Sequence, residues 1–168
     1  DDERIEWMVL ENQGFGVAVS TGRNRNIEKH ELLSTEAVCL LPVSHRLAGN
    51  EVISPEDLDG ENFISYFEGS IFKNDIDKAF STAKVRRLTR YEGKTTGAII
   101  GMVGAGLGVS IIDSGFGAGS FDPRCITIPF KPAIPYTAEL LWSTQRDLSA
   151  IQNEFLNMVR EEYGELDI

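Results

Sequence analysis

The sequence contains no apolar run near the roughly 20 residues that a membrane-crossing helix requires, so no spanning segment organises it. It has only two cysteines and two histidines, and no Cys/His spacing suits zinc. Cys39 and Cys125 each sit in an apolar, strand-like run, which reads as buried free thiols of a cytoplasmic protein rather than a disulfide. His30 and His45 have no Ser or Cys partner by motif, and no acid–base pair stands out. Metal, cofactor and nucleophilic chemistry therefore have no support here, and neither a cofactor nor an enzyme is expected. Positive charge is scarce as well. Sixteen Lys and Arg stand against 26 Asp and Glu, a net charge of −10. Because phosphate contacts dominate nucleic-acid affinity, this chain is not expected to grip DNA by itself. There is no basic start followed by an apolar stretch, no Pro/Ser-rich linker, no repeat and no low-complexity tract.

What remains is ordinary globular material, 42% hydrophobic and 25% charged, enough for one domain or two small lobes. Ile5, Met8 and Val9 recur at helical spacing before Gly14, and Phe15 to Ser20 reads as a buried strand. Thr21 to Lys29 is polar and reads as a loop. Leu32 to Pro42 reads as a long strand closed by proline. Ser54-Pro55-Glu56-Asp57 has the form of a helix start. Asn62 to Phe67 is a strand, and Glu68-Gly69-Ser70 opens a helix with Phe72, Ile76, Ala79, Phe80 and Ala83 on one face. Val85 to Tyr91 is a basic strand. The helix entered through Gly93-Lys94-Thr95-Thr96 stops at Gly104 to Gly108. That glycine-rich break follows a helix rather than preceding one, so it is a stop and not a phosphate loop. Gly108 to Ile112 reads as a fully buried strand. Two further strands, Arg124 to Phe130 and Tyr136 to Thr144, and a helix marked by Leu148, Ile151, Phe155 and Val159 complete the chain. Strands alternating with helices predict an α/β architecture with mainly parallel sheets.

In this order and spacing, several short motifs resemble the effector-binding domain of LysR-type transcriptional regulators. Leu32-Leu33 through Ala37-Val38-Cys39-Leu40-Leu41-Pro42 resembles the family's apolar strand ending in proline. His45-Arg46-Leu47-Ala48 follows, with Arg46 replacing the usual proline. Glu56-Asp57-Leu58-Asp59-Gly60, Phe63-Ile64 and Gly104-Ala105-Gly106-Leu107-Gly108-Val109-Ser110 match later segments, while Asp113 stands near a frequent proline. The Gly60-Glu61-Asn62-Phe63 and Gly106-to-Ser110 segments look most like opine-responsive branches. The resemblance implies a type 2 periplasmic-binding-protein-like α/β fold of two lobes joined by crossover strands. It implies a remainder of lobe I at 1–35, lobe II at 36–110, and a return to lobe I with a C-terminal helix at 111–168. Relative to the family the first lobe is incomplete, and the chain is expected to be N-terminally truncated.

By that resemblance the chain binds a small organic acid or amino-acid-derived effector between the lobes and self-associates. Its helix at Phe72 to Ala83 would pack on a partner, or the incomplete lobe would drive association. DNA is reached only through an N-terminal winged helix outside this chain, and no membrane is involved. A solute-binding protein of a transporter with the same fold is the alternative, and a small α/β enzyme is a third class. The candidate ligand residues are Lys94, Thr95 and Thr96 at one helix start, where hydroxyls, backbone N–H groups and the helix dipole favour an anion. The bland alternative there is a simple N-cap. Phe67, Glu68, Gly69 and Ser70 form the second turn, where a strand end meets a helix start. Glu68 either pairs with a ligand cation or only complements the helix dipole. Ser20 and Asp113 are candidates from the other strand ends. Asp113 otherwise caps the segment after it.

Overall fold

The structure is a computed structural model that describes residues 2–12, 14–19, 24–115 and 122–163. In chain order it contains α1 (Asp2–Asn12), β1 (Phe15–Val19), β2 (Ile27–Pro42), a 3-10 turn (Pro55–Leu58), β3 (Asn62–Tyr66) and α2 (Ile71–Ala83). There follow β4 (Leu88–Gly93), α3 (Thr96–Gly104), β5 (Ser110–Asp113), β6 (Cys125–Pro129), β7 (Pro135–Ser143) and α4 (Ala150–Tyr163). The chain divides into two units, Asp1–Ser34 with Thr137–Ile168, and Thr35–Tyr136. Both β2 and β7 run from one unit into the other. The sequence reading places the return to the first lobe at 111. In the structure β5 and β6 belong to the second unit, because both pair with the second half of β2.

In the first unit β1 pairs antiparallel with β7, from Phe15 opposite Trp142 to Val19 opposite Ala138. Val9 of α1 is buried with Ala18, Ile27 and Leu141, and Ile5 and Leu10 pack against them. β2 starts at Ile27, five residues earlier than the predicted Leu32. Glu28, Lys29 and Glu31 mask the alternation there, although Ile27 and His30 are buried. The closing helix α4 exists as predicted but is rotated from the expected stripe. It buries Leu156 and Val159, while Ile151 is 83% exposed and the Phe155 ring lies tilted by 45° against Phe15 with centroids 4.8 Å apart.

The second unit holds the larger core. Leu40, Leu41, Ile53, Phe63, Ile64, Ile99, Ile111 and Ile112 are sealed within it. The second half of β2 lies antiparallel between β5 (Ala37 to Leu40 opposite Asp113 to Ser110) and β6 (Val38 to Pro42 opposite Pro129 to Cys125). β3 and β4 are parallel, ending with Tyr66 opposite Gly93. β5 joins β3 through a parallel bridge between Phe63 and Val109, with Ile64 N–H on the Val109 carbonyl at 2.8 Å. Antiparallel ladders thus outnumber parallel ones among the described pairings. The expected mainly parallel sheet does not hold, because β2 runs against the strands that flank it. Gly108 permits the β3–β5 approach: a Cβ there would run into the Asn62 carbonyl oxygen.

Local chemistry sets the element ends. At the 3-10 turn, Asp57 Oδ2 reaches back to Ser54 N–H at 2.8 Å, half of a capping box. Helix α3 closes as a Schellman motif, with Gly106 at φ +76 and Leu107 N–H on the Met102 carbonyl at 3.2 Å. Arg46, standing where the resembled family has proline, ties its loop down by donating to Glu61 Oε1 and the Asp57 carbonyl, each at 2.8 Å. In the basic stretch Val85 to Tyr91, Arg86 and Arg90 are exposed. Arg87 turns inward, with its guanidinium 4.7 Å from the ring centroids of both Phe63 and Phe80, and it pairs with Asp77. Two aromatic faces stabilise a desolvated guanidinium, and burial correspondingly lowers its proton affinity.

Candidate functional site

Parallel pairing of β3 with β4, and the bridge from β3 to β5, bring the C-terminal ends of three strands together within the second unit. Those ends are Tyr66, Gly93 and Asp113. Two helix starts follow them directly. Open α/β sheets present ligand-binding groups at such strand ends. The two predicted turns are neighbours, as the Phe67 N–H donates to the Gly93 carbonyl at 3.2 Å.

The first turn is Phe67 to Ser70. Gly69 takes φ +90, a conformation an L side chain rarely adopts. Ser70 is the N-cap of α2, and its Oγ accepts the Lys73 N–H at a long 3.5 Å. Glu68 is 81% exposed and pairs with Lys73 Nζ at 2.9 Å, and that amine also meets Asp77 at 2.7 Å. The Glu68 carboxylate therefore already has a cation beside it.

The second turn is Lys94 to Thr96, where Lys94 and Thr95 are exposed. Thr95 caps α3: its Oγ1 accepts the Ala98 N–H at 3.2 Å. The cap uses an oxygen lone pair and leaves the hydroxyl proton uncommitted to it. The N–H groups of Thr96 and Gly97 have no intrahelical acceptor, as in the first turn of any helix. Thr96 differs from its neighbour. Its Oγ1 donates to Asp113 Oδ2 at 3.0 Å and lies 2.9 Å from Tyr66 Oη. A hydroxyl has one proton, so Tyr66 donates to Thr96 and Thr96 to the carboxylate. The sequence reading offered both threonine hydroxyls to an anion. In the structure, only that of Thr95 remains a candidate donor.

Asp113 is 1% exposed and Tyr66 7% exposed. Burial, the largest cause, pushes the Tyr66 phenol well above its ordinary range. The Asp113 and Tyr136 charges add to that rise, and the Thr96 hydrogen bond opposes it. Sequence reasoning missed Tyr66. A tyrosine ending an apolar strand has to satisfy its hydroxyl once buried, and that need was the available signal. It also missed Lys73, the partner of Glu68. Ser20 lies outside the described residues. Among those described, no group of His, Cys, Asp and Glu is arranged to hold a metal ion, and no helix is long and apolar enough to cross a membrane.

The LysR substrate binding domain family model matches residues 1–164. The transcriptional activator protein LysR of Escherichia coli K12 is 29% identical over 150 residues, covering 89% of this chain and 48% of its own length. The regulatory protein NocR of Agrobacterium tumefaciens T37 is 28% identical over 152 residues, covering 90% and 50%. The chain thus spans about half the length of these relatives. Among solved structures, the Synechocystis PCC6803 CcmR regulatory domain in complex with 2-PG superposes with a TM-score of 0.84 at 19% identity, covering 97% of this chain and 80% of that one. The effector binding domain of QuiR in complex with shikimate gives 0.81 at 16%, covering 96% and 77%. At such identities these superpositions show a shared fold.

Proposed function

The chain belongs to the LysR substrate-binding domain family, and from that premise we propose that it senses a small carboxylate or amino-acid-derived inducer with the strand ends and helix starts of its second unit. Its relatives are transcriptional regulators, and its fold is the periplasmic-binding-protein-like α/β fold of their regulatory domains. The carrying observation is the adjacency of two helix N-termini, capped by Ser70 and Thr95, on neighbouring parallel strands. There the Thr95 hydroxyl and the N–H groups of Thr96 and Gly97 take the ligand's acidic group. Gly69 lets that turn's backbone come close, and Phe67 and Lys94 flank the turns. Binding changes the full-length regulator by its differential affinity for two conformations, and so alters DNA binding by a domain outside this chain. This sensing takes place in the cytoplasm and involves no catalysis.

Self-association is part of the same reading. β1 has β7 as its only partner among the described pairings, and Trp7, Met8 and Val17 near it are 60%, 47% and 45% exposed. An open strand edge beside exposed apolar side chains favours pairing with another copy. Light scattering is expected to give a mass above the 18.6 kDa of one chain, and a monodisperse monomer would remove this element. The binding site is tested by screening carboxylates and amino acids for a thermal shift, followed by calorimetry with the strongest hit. Thr95→Ala and Ser70→Ala are each expected to weaken it by about tenfold, the worth of one lost charge-assisted hydrogen bond. Unchanged affinity in both removes the site.

A further inference from the structure

Strand β4 is an edge. Among the described pairings it has β3 on one side and no partner on the other. Its residues Leu88 to Glu92 are exposed without a break. The direction of its backbone groups can be read from one end. The Gly93 carbonyl accepts the Phe67 N–H at 3.2 Å, so the polar groups of Gly93 face β3. Strand alternation then turns Tyr91 toward β3 and points the N–H and C=O groups of Glu92 and Arg90 outward. The β3 register agrees, since it passes from Thr89 to Tyr91 and gives Arg90 no partner. A bare edge is normally guarded by charge. Here the guard has both signs. Neither the Arg90 nor the Glu92 side chain has a partner among the described residues, although the two stand two positions apart on one strand.

We infer that this edge binds a second copy of the chain: β4 pairs antiparallel with the partner's β4 about a twofold axis through Tyr91. In that register Arg90 stands opposite the partner's Glu92, and Glu92 opposite the partner's Arg90. The outward backbone groups limit the alternatives. Ladder hydrogen bonds require Arg90 and Glu92 to face outward residues of the second strand, so the register can slide only by two positions. One such slide sets Arg90 against the partner's Arg90, and the other sets Glu92 against the partner's Glu92. Of these three registers, only the central one places opposite charges face to face, and it does so twice. The two charged rungs are then the hydrogen-bonded pairs. Tyr91 falls at a non-hydrogen-bonded pair, with Cα atoms about 4.5 Å apart and the side chains closest. Such an interface is isologous and closes at two chains. It lies in the second unit, apart from the β1 edge of the first, and it stands independently of the ligand site proposed above.

The test uses the 168-residue chain and two independent readouts. In sedimentation, Arg90→Glu makes both opposed pairs repulsive and is expected to weaken association by about 10- to 100-fold. Glu92→Arg should do the same. The swap Arg90→Glu/Glu92→Arg re-creates both pairs and is expected to restore association to within about threefold of the parent. Charges that only guard the edge, or that serve a different surface of the partner, give no such rescue. These substitutions fall at exposed positions, and circular dichroism follows folding. The second readout is a disulfide at the axis, in a Cys125→Ser background that leaves only the buried Cys39. Tyr91→Cys brings two Cα atoms within the span of about 4.4–6.8 Å that a disulfide bridges. Thr89→Cys is the control, because an offset of four residues holds its two copies roughly 14 Å apart. Under mild oxidation the Tyr91 variant is expected to form linked dimer at least about tenfold faster than the control. Association through the β1 edge would persist in every variant, so the link at Tyr91 isolates this contact. Equal rates for the two cysteines, an unrescued swap, or undiminished association in the single variants overturns the inference.

Discussion

Replacing Thr96 with valine keeps the shape of the side chain and deletes one oxygen at the centre of a buried chain of hydrogen bonds. Two interactions vanish together, the 2.9 Å contact with Tyr66 and the 3.0 Å donation to Asp113. A buried donor or acceptor left without its partner costs about 1–3 kcal/mol. The Tyr66 phenol, 7% exposed, loses the acceptor of its proton. Asp113 keeps other contacts, so its share lies at the low end. The sum is about 2–4 kcal/mol of unfolding free energy. Tyr66→Phe removes only the outer member and leaves Thr96 donating to Asp113, so it should cost about 1 kcal/mol. Thr96→Ser keeps the hydroxyl and should cost less than either. The double variant Thr96→Val/Tyr66→Phe should destabilise by less than the sum of its parts, since both delete the same bond. Guanidinium unfolding should be followed by far-ultraviolet circular dichroism. Tryptophan fluorescence would report the wrong unit, as Trp7 and Trp142 both lie in the first. A Tyr66→Phe cost exceeding that of Thr96→Val, or strict additivity in the double variant, would refute the directional chain.

High pH provides a second check on Tyr66. Its phenol is held above the unfolded value of about 10, so above that pH the unfolded chain releases a proton the native chain retains. Stability is therefore lost by up to about 1.4 kcal/mol per pH unit as pH rises, and Tyr66→Phe should flatten this part of the curve in pH-dependent denaturant melts. Gly108→Ala should cost more than about 2 kcal/mol, because its Cβ meets a backbone carbonyl of β3 rather than a flexible side chain. A melting temperature within a degree of the parent would contradict the close approach. Cys39 is fully buried and desolvation raises its thiol well above the ordinary range, whereas Cys125 is half-buried. A thiol reagent should label Cys125 slowly in the native chain and Cys39 only after unfolding; rapid labelling of both would show that the core is not closed around β2.

Legibility from sequence followed the strength of local signals. The apolar stripe of α2 and the buried run of β5 were readable because periodicity and continuous burial are local properties. The starts of α2 and α3 were readable because Ser70 and Thr95 sit where caps belong. Strand direction was not: β5 reads the same whether it pairs with antiparallel β2 or parallel β3, and it does both. The first five residues of β2 were lost under Glu28, Lys29 and Glu31, and the inward turn of Arg87 beside the exposed Arg86 and Arg90. At the candidate site the turns were legible but their electrostatics were not. Thr96 is separated by 30 residues from Tyr66 and by 17 from Asp113, and only the fold brings a carboxylate under a helix start that in the sequence shows only threonines and a lysine.

The central claim is that the turns at Phe67–Ser70 and Lys94–Thr96 hold the effector. Hydrogen–deuterium exchange measured with and without a saturating thermal-shift hit tests it most directly. Binding should slow exchange at the amides of residues 67–70 and 94–97, where helix geometry leaves N–H groups without intrahelical acceptors. Protection confined to other segments, with both turns exchanging as in the free chain, would contradict the account.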